Sequence, residues 1–502
     1  MVKVAKKSNR FSFRKILIVI TLLFILLTIP IVVIYVIDKN PKESRSHASE
    51  IEVASFNSQI ESNIASGETS RNTFLLTQRK EQMEYLAATN PQAFLQNTYD
   101  SSRRDRFPDN QKAFIEEQAQ ISGRLVEAYK DNFKDKKYKK VYFIQNNEGT
   151  FGLKTPLELS EDEAKSGRNV SASGYKVSNL IVAPNESVSI TGEALSVASS
   201  KDIDDYLVMP VNFIGDRSRP YSQGEIGNKF FGSSNTSGAQ YFKRVTGNRY
   251  VFNGTVMPWQ ESNIKRSSVC DNADQLIKYA ESKVNINNYY GVIFVFPKIK
   301  DCDWLGMGTM DGNPRIIWIN EFDLDTIAHE LGHNIGLDHA ALMQCVLSGC
   351  KTDSYGDMSD LMGYILGNIN SPHRMGLGIM VADGVKEFKS NGTFTLHKLS
   401  GGSTPQVLLV NDPGSDKDIY VEFRGGDSPY STKTTYNVDS GVLIYRWDGK
   451  KSSKTYLMDI TPGDNNWDNL ILKDGKSYSI GPVKIKQISH DSNSAKIRVE
   501  KR

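Results

Sequence analysis

The sequence predicts an α+β multidomain chain: a twisted sheet layered with helices, flanked by a small β unit and a C-terminal β-sandwich, behind an N-terminal transmembrane helix. Three observations carry this reading. One uncharged apolar run lies near the start, the periodicity switches from helical to two-residue near Lys139, and strand-like and helix-like segments interleave in the middle of the chain. With 502 residues the chain exceeds one ordinary core, so several folded units are expected.

The first fifteen residues carry Lys3, Lys6, Lys7, Arg10, Arg14 and Lys15 and no acid, which marks residues 1–15 as a cytoplasmic basic tail under the positive-inside bias. Ile16 to Ile37 follows without a charged side chain. A helix of that length reaches about 33 Å, enough to cross a hydrocarbon layer of about 30 Å. A cleaved secretory signal has a shorter apolar core and a small-residue cleavage site, whereas Tyr35-Val-Ile-Asp-Lys-Asn is a poor one. Residues 16–37 are therefore read as a retained signal-anchor at the cell membrane, single-pass, with everything after Asp38 outside the cell.

Residues 38–138 read as a helical stalk or pro-region, with apolar residues at helical spacing in Phe94-Leu95 and in Ile115, Ala119, Leu125 and Ala128. Arg103-Arg-Asp-Arg-Phe-Pro-Asp-Asn is a charged turn within it. In residues 139–200 the period becomes two, as in Val141-Tyr-Phe-Ile and Tyr175-Lys-Val-Ser-Asn-Leu-Ile-Val, and a small β-domain is expected. Residues 201–383 interleave strands such as Gly291-Val-Ile-Phe-Val-Phe and Arg315-Ile-Ile-Trp-Ile-Asn with helices. Residues 384–502 hold only strand-like runs at sandwich spacing, among them Gln406-Val-Leu-Leu-Val and Ile419-Tyr-Val-Glu-Phe.

Lys and Arg total 61 against 58 Asp and Glu, a balance that gives no field to attract nucleic acid. The four cysteines, Cys270, Cys302, Cys345 and Cys350, are an even set that suits an oxidising compartment. Of the three pairings, Cys270 with Cys302 and Cys345 with Cys350 is favoured, since the second closes a short local loop. No C-x-x-C spacing supports a four-thiolate zinc site.

The chemistry concentrates in His329-Glu-Leu-Gly-His-Asn-Ile-Gly-Leu-Asp-His339, where three of the seven histidines fall together. His329 and His333, four apart on a helix, share one face and can bind one zinc ion. Glu330 on the same helix can address the open side of the metal as general base. Gly336 can take the left-handed conformation that ends a helix, which lets His339 swing back as third ligand. Asp323 or Asp325 can cap the helix start. His373 is read as structural, because three histidines already fill a catalytic zinc's protein quota.

This segment resembles the extended zinc motif of the metzincin metalloproteases, and within that clan it is most similar to the gametolysin family. Tyr355-Gly-Asp-Met-Ser-Asp-Leu-Met-Gly resembles the family's Y-G-D-x-S-x-x-M-G block, and Asn370-Ser-Pro-His-Arg with Gly376-Leu-Gly resembles a further one. The resemblance covers about Tyr206 to Ile379. It implies a metzincin-like catalytic domain over 201–383, with Met362 rather than Met358 as the Met-turn residue flooring the metal. It also implies that Tyr364 is a candidate zinc or transition-state contact. Substrate would lie along an edge strand formed by Arg315, Ile316, Ile317, Trp318, Ile319 and Asn320.

The expected function is thus a membrane-anchored extracellular zinc metalloendopeptidase with one catalytic Zn2+, acting on surface, wall or matrix proteins. Calcium ligation among acidic turns such as Asp459 to Asp468 is conceivable but unsupported, as no EF-hand spacing occurs. The competing reading is a cell-surface adhesion or binding protein with a structural, non-catalytic zinc site. No cysteine precedes Cys270, so latency imposed by the region from Glu50 to Ser200 needs a carboxylate or simple steric blocking.

Overall fold

A computed structural model describes residues 41–160, 164–193, 203–346, 348–363, 367–425, 440–449, 454–463 and 469–502. The expected basic tail and membrane span, residues 1–37, and part of the acidic turn 459–468 lie outside them. Among the described residues no helix is long and apolar enough to cross a membrane. The chain divides into two compact units, Met1–Glu117 and Gln118–Arg502.

In the first unit, α1 (Pro41–Ala65) packs on α2 (Asn72–Thr89), and α3 (Pro91–Gln96) starts at Asn90, whose side chain caps the Ala93 amide. Ile60, Leu76, Tyr99, Phe107 and Ile115 form its core. A buried ion pair closes the unit: Arg79 Nη1 and Nη2 donate to Glu116 Oε2 and Oε1 at 2.6 and 2.8 Å. The guanidinium also donates to Asn57 Oδ1 and to the Asn97 carbonyl, both at 2.7 Å, so its charge is well partnered. Removing one member of a fully buried pair strands the other, at about 3–5 kcal/mol. Arg79→Ala is expected to lower the urea midpoint of the helical unit's transition accordingly, and Arg79→Met with Glu116→Leu to recover part of the loss.

The helical reading fails from Glu117 onward. Residues Glu117–Asn132 form one long strand, β1, rather than the last helix of a stalk. The reason is burial on both faces: Ile121 and Leu125 enter one core, Val126 and Ala128 another. A doubly covered strand shows no clean alternation, and chance i, i+3 and i, i+4 pairs then imitate a helix.

The small β unit continues with β2 (Lys137–Asn146), β3 (Gly149–Lys154), β4 (Asn169–Val177), β5 (Leu180–Val182) and β6 (Val188–Thr191). Next come β7 (Ile203–Ile214), β8 (Phe252–Val256), β9 (Gln260–Lys265), β10 (Gly291–Val295), β11 (Gly306–Thr309) and β12 (Arg315–Ile319). Among the described residues these twelve strands make one sheet, ordered β6-β4-β5-β3-β2-β1-β11-β12-β10-β7-β8, with β9 on β7. The expected small β-domain is therefore not a separate body. It joins the central sheet through β1, which pairs antiparallel with β11 from Ala128↔Thr309 to Asp131↔Gly306.

Parallel β12, β10 and β7 lie side by side inside the sheet, towards its β8 end, and every residue of β10 and β12 is buried, as two covered faces require. On one face lie α4 (Gln223–Phe231), α5 (Gly238–Val245) and the helix of the histidines, whose Ile327, Ala328 and Leu331 pack with Val208, Ile293 and Ile317. On the other lies α6 (Gln275–Glu281), held beside the Cys270–Cys302 disulfide.

After His339 the chain enters β13 (Ala340–Val346) and β14 (Gly349–Asp353), clipped by Cys345–Cys350, so both favoured disulfides are present. The later strands are β15 (Val385–Glu387), β16 (Gly392–His397), β17 (Val407–Val410), β18 (Asp418–Arg424), β19 (Gly441–Trp447), β20 (Thr455–Met458), β21 (Ser477–Ile480), β22 (Val483–His490) and β23 (Ser494–Lys501). A seven-stranded sheet, β14-β13-β20-β19-β18-β17-β15, faces a four-stranded one, β16-β23-β22-β21. Leu408, Val421 and Ile444 from the first meet Ile485, Ile497 and Val499 from the second. This two-sheet layer recruits β13 by parallel pairing with β20, so it begins before residue 384.

Candidate metal centre

Helix α7 (Leu324–Asn334) carries His329, Glu330 and His333. Its start is fixed by Asp323, whose side chain accepts the Thr326 amide at 2.8 Å. Its end is a paired glycine stop: Leu337 N–H donates to the Gly332 carbonyl, Gly336 N–H to the His333 carbonyl, and Gly336 has φ +93°. The chain reverses there, and His339 returns to the cluster. Asn334 docks the helix on the sheet, donating to the Thr309 carbonyl at 2.8 Å and accepting from Tyr206 Oη at 3.2 Å.

The three imidazoles share one buried pocket, with ring centroids 4.9 to 5.6 Å apart. His333 Nδ1 lies 2.8 Å from the Leu337 carbonyl and His329 Nδ1 3.3 Å from the Leu361 carbonyl. Donation from Nδ1 to a carbonyl leaves Nε2 with its lone pair, the form that ligates a metal. Burial pushes His329 down and His339 down to about 4.

A fourth group, invisible in the motif, completes the cluster. Asp131 of β1 places Oδ2 2.9 Å from His333 Nε2 and Oδ1 3.0 Å from His339 Nε2, with His329 Nε2 at 3.6 Å. Tyr355 Oη donates to Asp131 Oδ1 at 2.5 Å. Burial alone would raise the Asp131 carboxyl, yet His339 and His333 hold it well below the usual range. The ligand atoms of Asp131, His329, His333 and His339 all lie within 4.8 Å of one another. Three imidazoles and one carboxylate are a donor set that zinc accepts, so the residues fit a metal ion. His329 Nε2 and both Glu330 carboxylate oxygens are buried without a hydrogen-bond partner, which is costly for polar groups and supports the same fit.

Glu330 is fully buried against β11, where glycines make its room: a side chain on Gly306 would overlap Glu330 Oε1, and one on Gly308 would press on Oε2 at 2.9 Å. Burial, reinforced by the charge of Asp131, holds the Glu330 carboxyl well above the usual range.

Met362 is buried below α7, its amide bonded to Asp360 Oδ1 at 2.7 Å and its carbonyl accepting the Ala340 amide. A Cβ on Gly332 would sit 2.5 Å from Met362 Sδ, so the glycine permits this close approach. Gly332→Ala is expected to lower the thermal midpoint, because overpacking costs about 1–3 kcal/mol, more than the roughly 1 kcal/mol that alanine adds to helix propensity. His373 stands apart from the cluster. Its Nδ1 lies 3.2 Å from Asp360 Oδ2, and Asp360 also accepts the Asn370 amide, so His373 braces the Met362 loop. Tyr364 lies outside the described residues.

The expected substrate edge is corrected. Arg315, Ile316, Ile317, Trp318 and Ile319 form β12, which is hydrogen-bonded to β10 on one side and β11 on the other. Asn320, just beyond, spends its side chain on the Ile299 and Trp304 carbonyls. A strand with both edges paired cannot take a third. An apolar run such as Arg315-Ile-Ile-Trp-Ile reads alike at an edge and inside a sheet. The strand nearest the histidines is β11, and its outer side is occupied by β1.

The sequence profile of the family described as gametolysin peptidase M11 matches residues 225–403. That span contains α7, Gly336, His339 and Met362 and excludes Asp131. No curated protein matches the chain.

Proposed function

We propose, from the match of residues 225–403 to the gametolysin peptidase family, that the chain is a membrane-anchored extracellular zinc endopeptidase, cleaving surface, wall or matrix proteins. In this reading His329, His333 and His339 hold one zinc ion, Glu330 is the general base, and Met362 floors the site. The single observation that carries it is the convergence of three buried imidazoles beside a buried carboxylate with no partner of its own.

Zinc, when bound, supplies Lewis acidity that acidifies water and polarises a peptide carbonyl. Glu330, held in a dry cradle by Gly306 and Gly308, takes the proton of the attacking water. The same carboxyl then passes that proton to the leaving amine. No side chain need form a covalent bond to substrate. The anchor is the apolar run 16–37, and the disulfide pairs suit an oxidising exterior.

One observation favours the competing reading of a structural site in an adhesion protein: Asp131 supplies a fourth donor, and structural zinc sites are closed. Glu330 argues against it, since a purely structural centre has no need of a second, unpaired carboxylate buried beside it. The test is hydrolysis of a quenched peptide or casein by the full chain in detergent, before and after limited trypsin treatment. Chelator-sensitive cleavage restored by zinc supports the proposal. Absence of turnover from intact, trypsin-treated and Asp131-substituted chains alike overturns it.

A further inference from the structure

We infer that β1 is a built-in inhibitor of the centre, with Asp131 closing the metal's fourth position and the strand occupying the edge of β11 that an extended substrate would need. This rests on the peptidase reading above and adds its regulation. Two independent features support it.

The first is side-chain direction. Successive side chains of a strand alternate, so Tyr129 and Asp131 fall on one face, and Phe133 follows in the turn just past the strand's end. All three meet the histidines: Tyr129 stacks on His333 at 4.8 Å, Asp131 touches His333 and His339, and Phe133 lies 5.2 Å from His329. Tyr138, across the hairpin on β2, packs its ring against His339 at 4.7 Å. One ionic group framed by aromatics thus covers the centre, and solvent is kept from it.

The second is the backbone. Asp131 stands opposite Gly306 in the antiparallel β1–β11 ladder, and Gly306 is one of the two glycines that accommodate Glu330. The ladder delivers the carboxylate to the metal ligands and fills the hydrogen-bonding side of β11 in the same act. A peptide could pair with that edge by strand addition only after β1 leaves. Asp131 lies outside the span matched by the peptidase family, as an accessory blocking element would. With no cysteine before Cys270, a carboxylate is the ligand this region has to offer.

The inference is tested with the full chain in detergent, loaded with Co2+ and probed with acetohydroxamate, comparing wild type with Asp131→Ala and Asp131→Asn. The wild-type visible spectrum should not respond to the hydroxamate, whereas both variants should keep the metal and shift on adding it. Asp131 is the ionic hold of β1 on the centre, so its loss should let the strand leave β11 more readily, and zinc-loaded variants should hydrolyse a quenched peptide faster than intact wild type, by about 100-fold if the closed arrangement is populated about 99:1. Should Asp131→Ala fail to fold, Asp131→Asn keeps the shape, and its neutral oxygen is a weaker ligand that gives the same readouts. A wild-type spectrum that responds to hydroxamate as the variants do overturns the inference, because Asp131 is then not on the metal. Variants that fold but lose the metal also overturn it, making Asp131 a permanent structural ligand. An opened site without turnover, before and after limited trypsin treatment, upholds the coordination and sinks the peptidase reading instead.

Discussion

Glu330→Gln, placed on an Asp131→Ala background, is expected to lower peptide turnover by about 10²- to 10⁴-fold while the bound metal stays constant, the range that a positioned general base contributes. The change keeps the side chain's volume, so the cradle of Gly306 and Gly308 still receives it. It removes only the ability to take a proton. Among the described residues no alternative base is in position: Asp131 is gone from this background, and burial by itself holds the Tyr355 hydroxyl above its ordinary range. Initial rates on a quenched peptide, with elemental analysis of the same samples, check the prediction. Comparable turnover in the two chains would remove Glu330 from the chemistry.

His339→Ala is expected to abolish activity and to weaken zinc binding by at least about 100-fold, taking the upper end of what loss of an outer partner costs as a floor for loss of a ligand. The side chain is reached only through the chain reversal at Gly336, and no neighbouring imidazole can replace it among the described residues. His373→Ala supplies the contrast. That residue is equally buried but contacts Asp360, so its loss should lower the thermal midpoint and leave the metal content unchanged. Competition with a chromophoric chelator measures both. Equal metal loss in the two variants would mean that the cluster responds to general unfolding and not to the removal of a ligand.

What could be read from the residues was local. The i, i+4 histidines, the helix stop at Gly336 and a cap at Asp323 or Asp325 each follow from one or two turns of chain, and the geometry there matches the spacing, with Asp323 as the cap. The disulfide between Cys345 and Cys350 was legible for the same reason, spanning a two-strand turn. What escaped was non-local. Asp131 lies about two hundred positions before its partners, in a segment whose two buried faces hide the strand period. The only trace was the spacing Tyr129, Asp131, Phe133, an acid between aromatics, which by itself means nothing. The position of β12 inside the sheet was hidden too, because an apolar strand does not say how many neighbours it has. Likewise β13 pairs with β20 across more than a hundred residues, so the boundary expected near 383 is bridged by hydrogen bonds that no composition change announces.

The first two of these non-local facts alter the functional picture more than the local ones. A four-donor centre with its neighbouring strand edge filled is a resting form, and the chemistry of Glu330 belongs to the chain after β1 has moved. Zinc K-edge absorption on the intact full chain tests the central claim most directly. The account predicts one zinc per chain, bound by three imidazoles and one carboxylate oxygen, with the oxygen replaced by solvent in Asp131→Ala. A chain that binds no zinc, or binds it with fewer than three imidazoles, would contradict it.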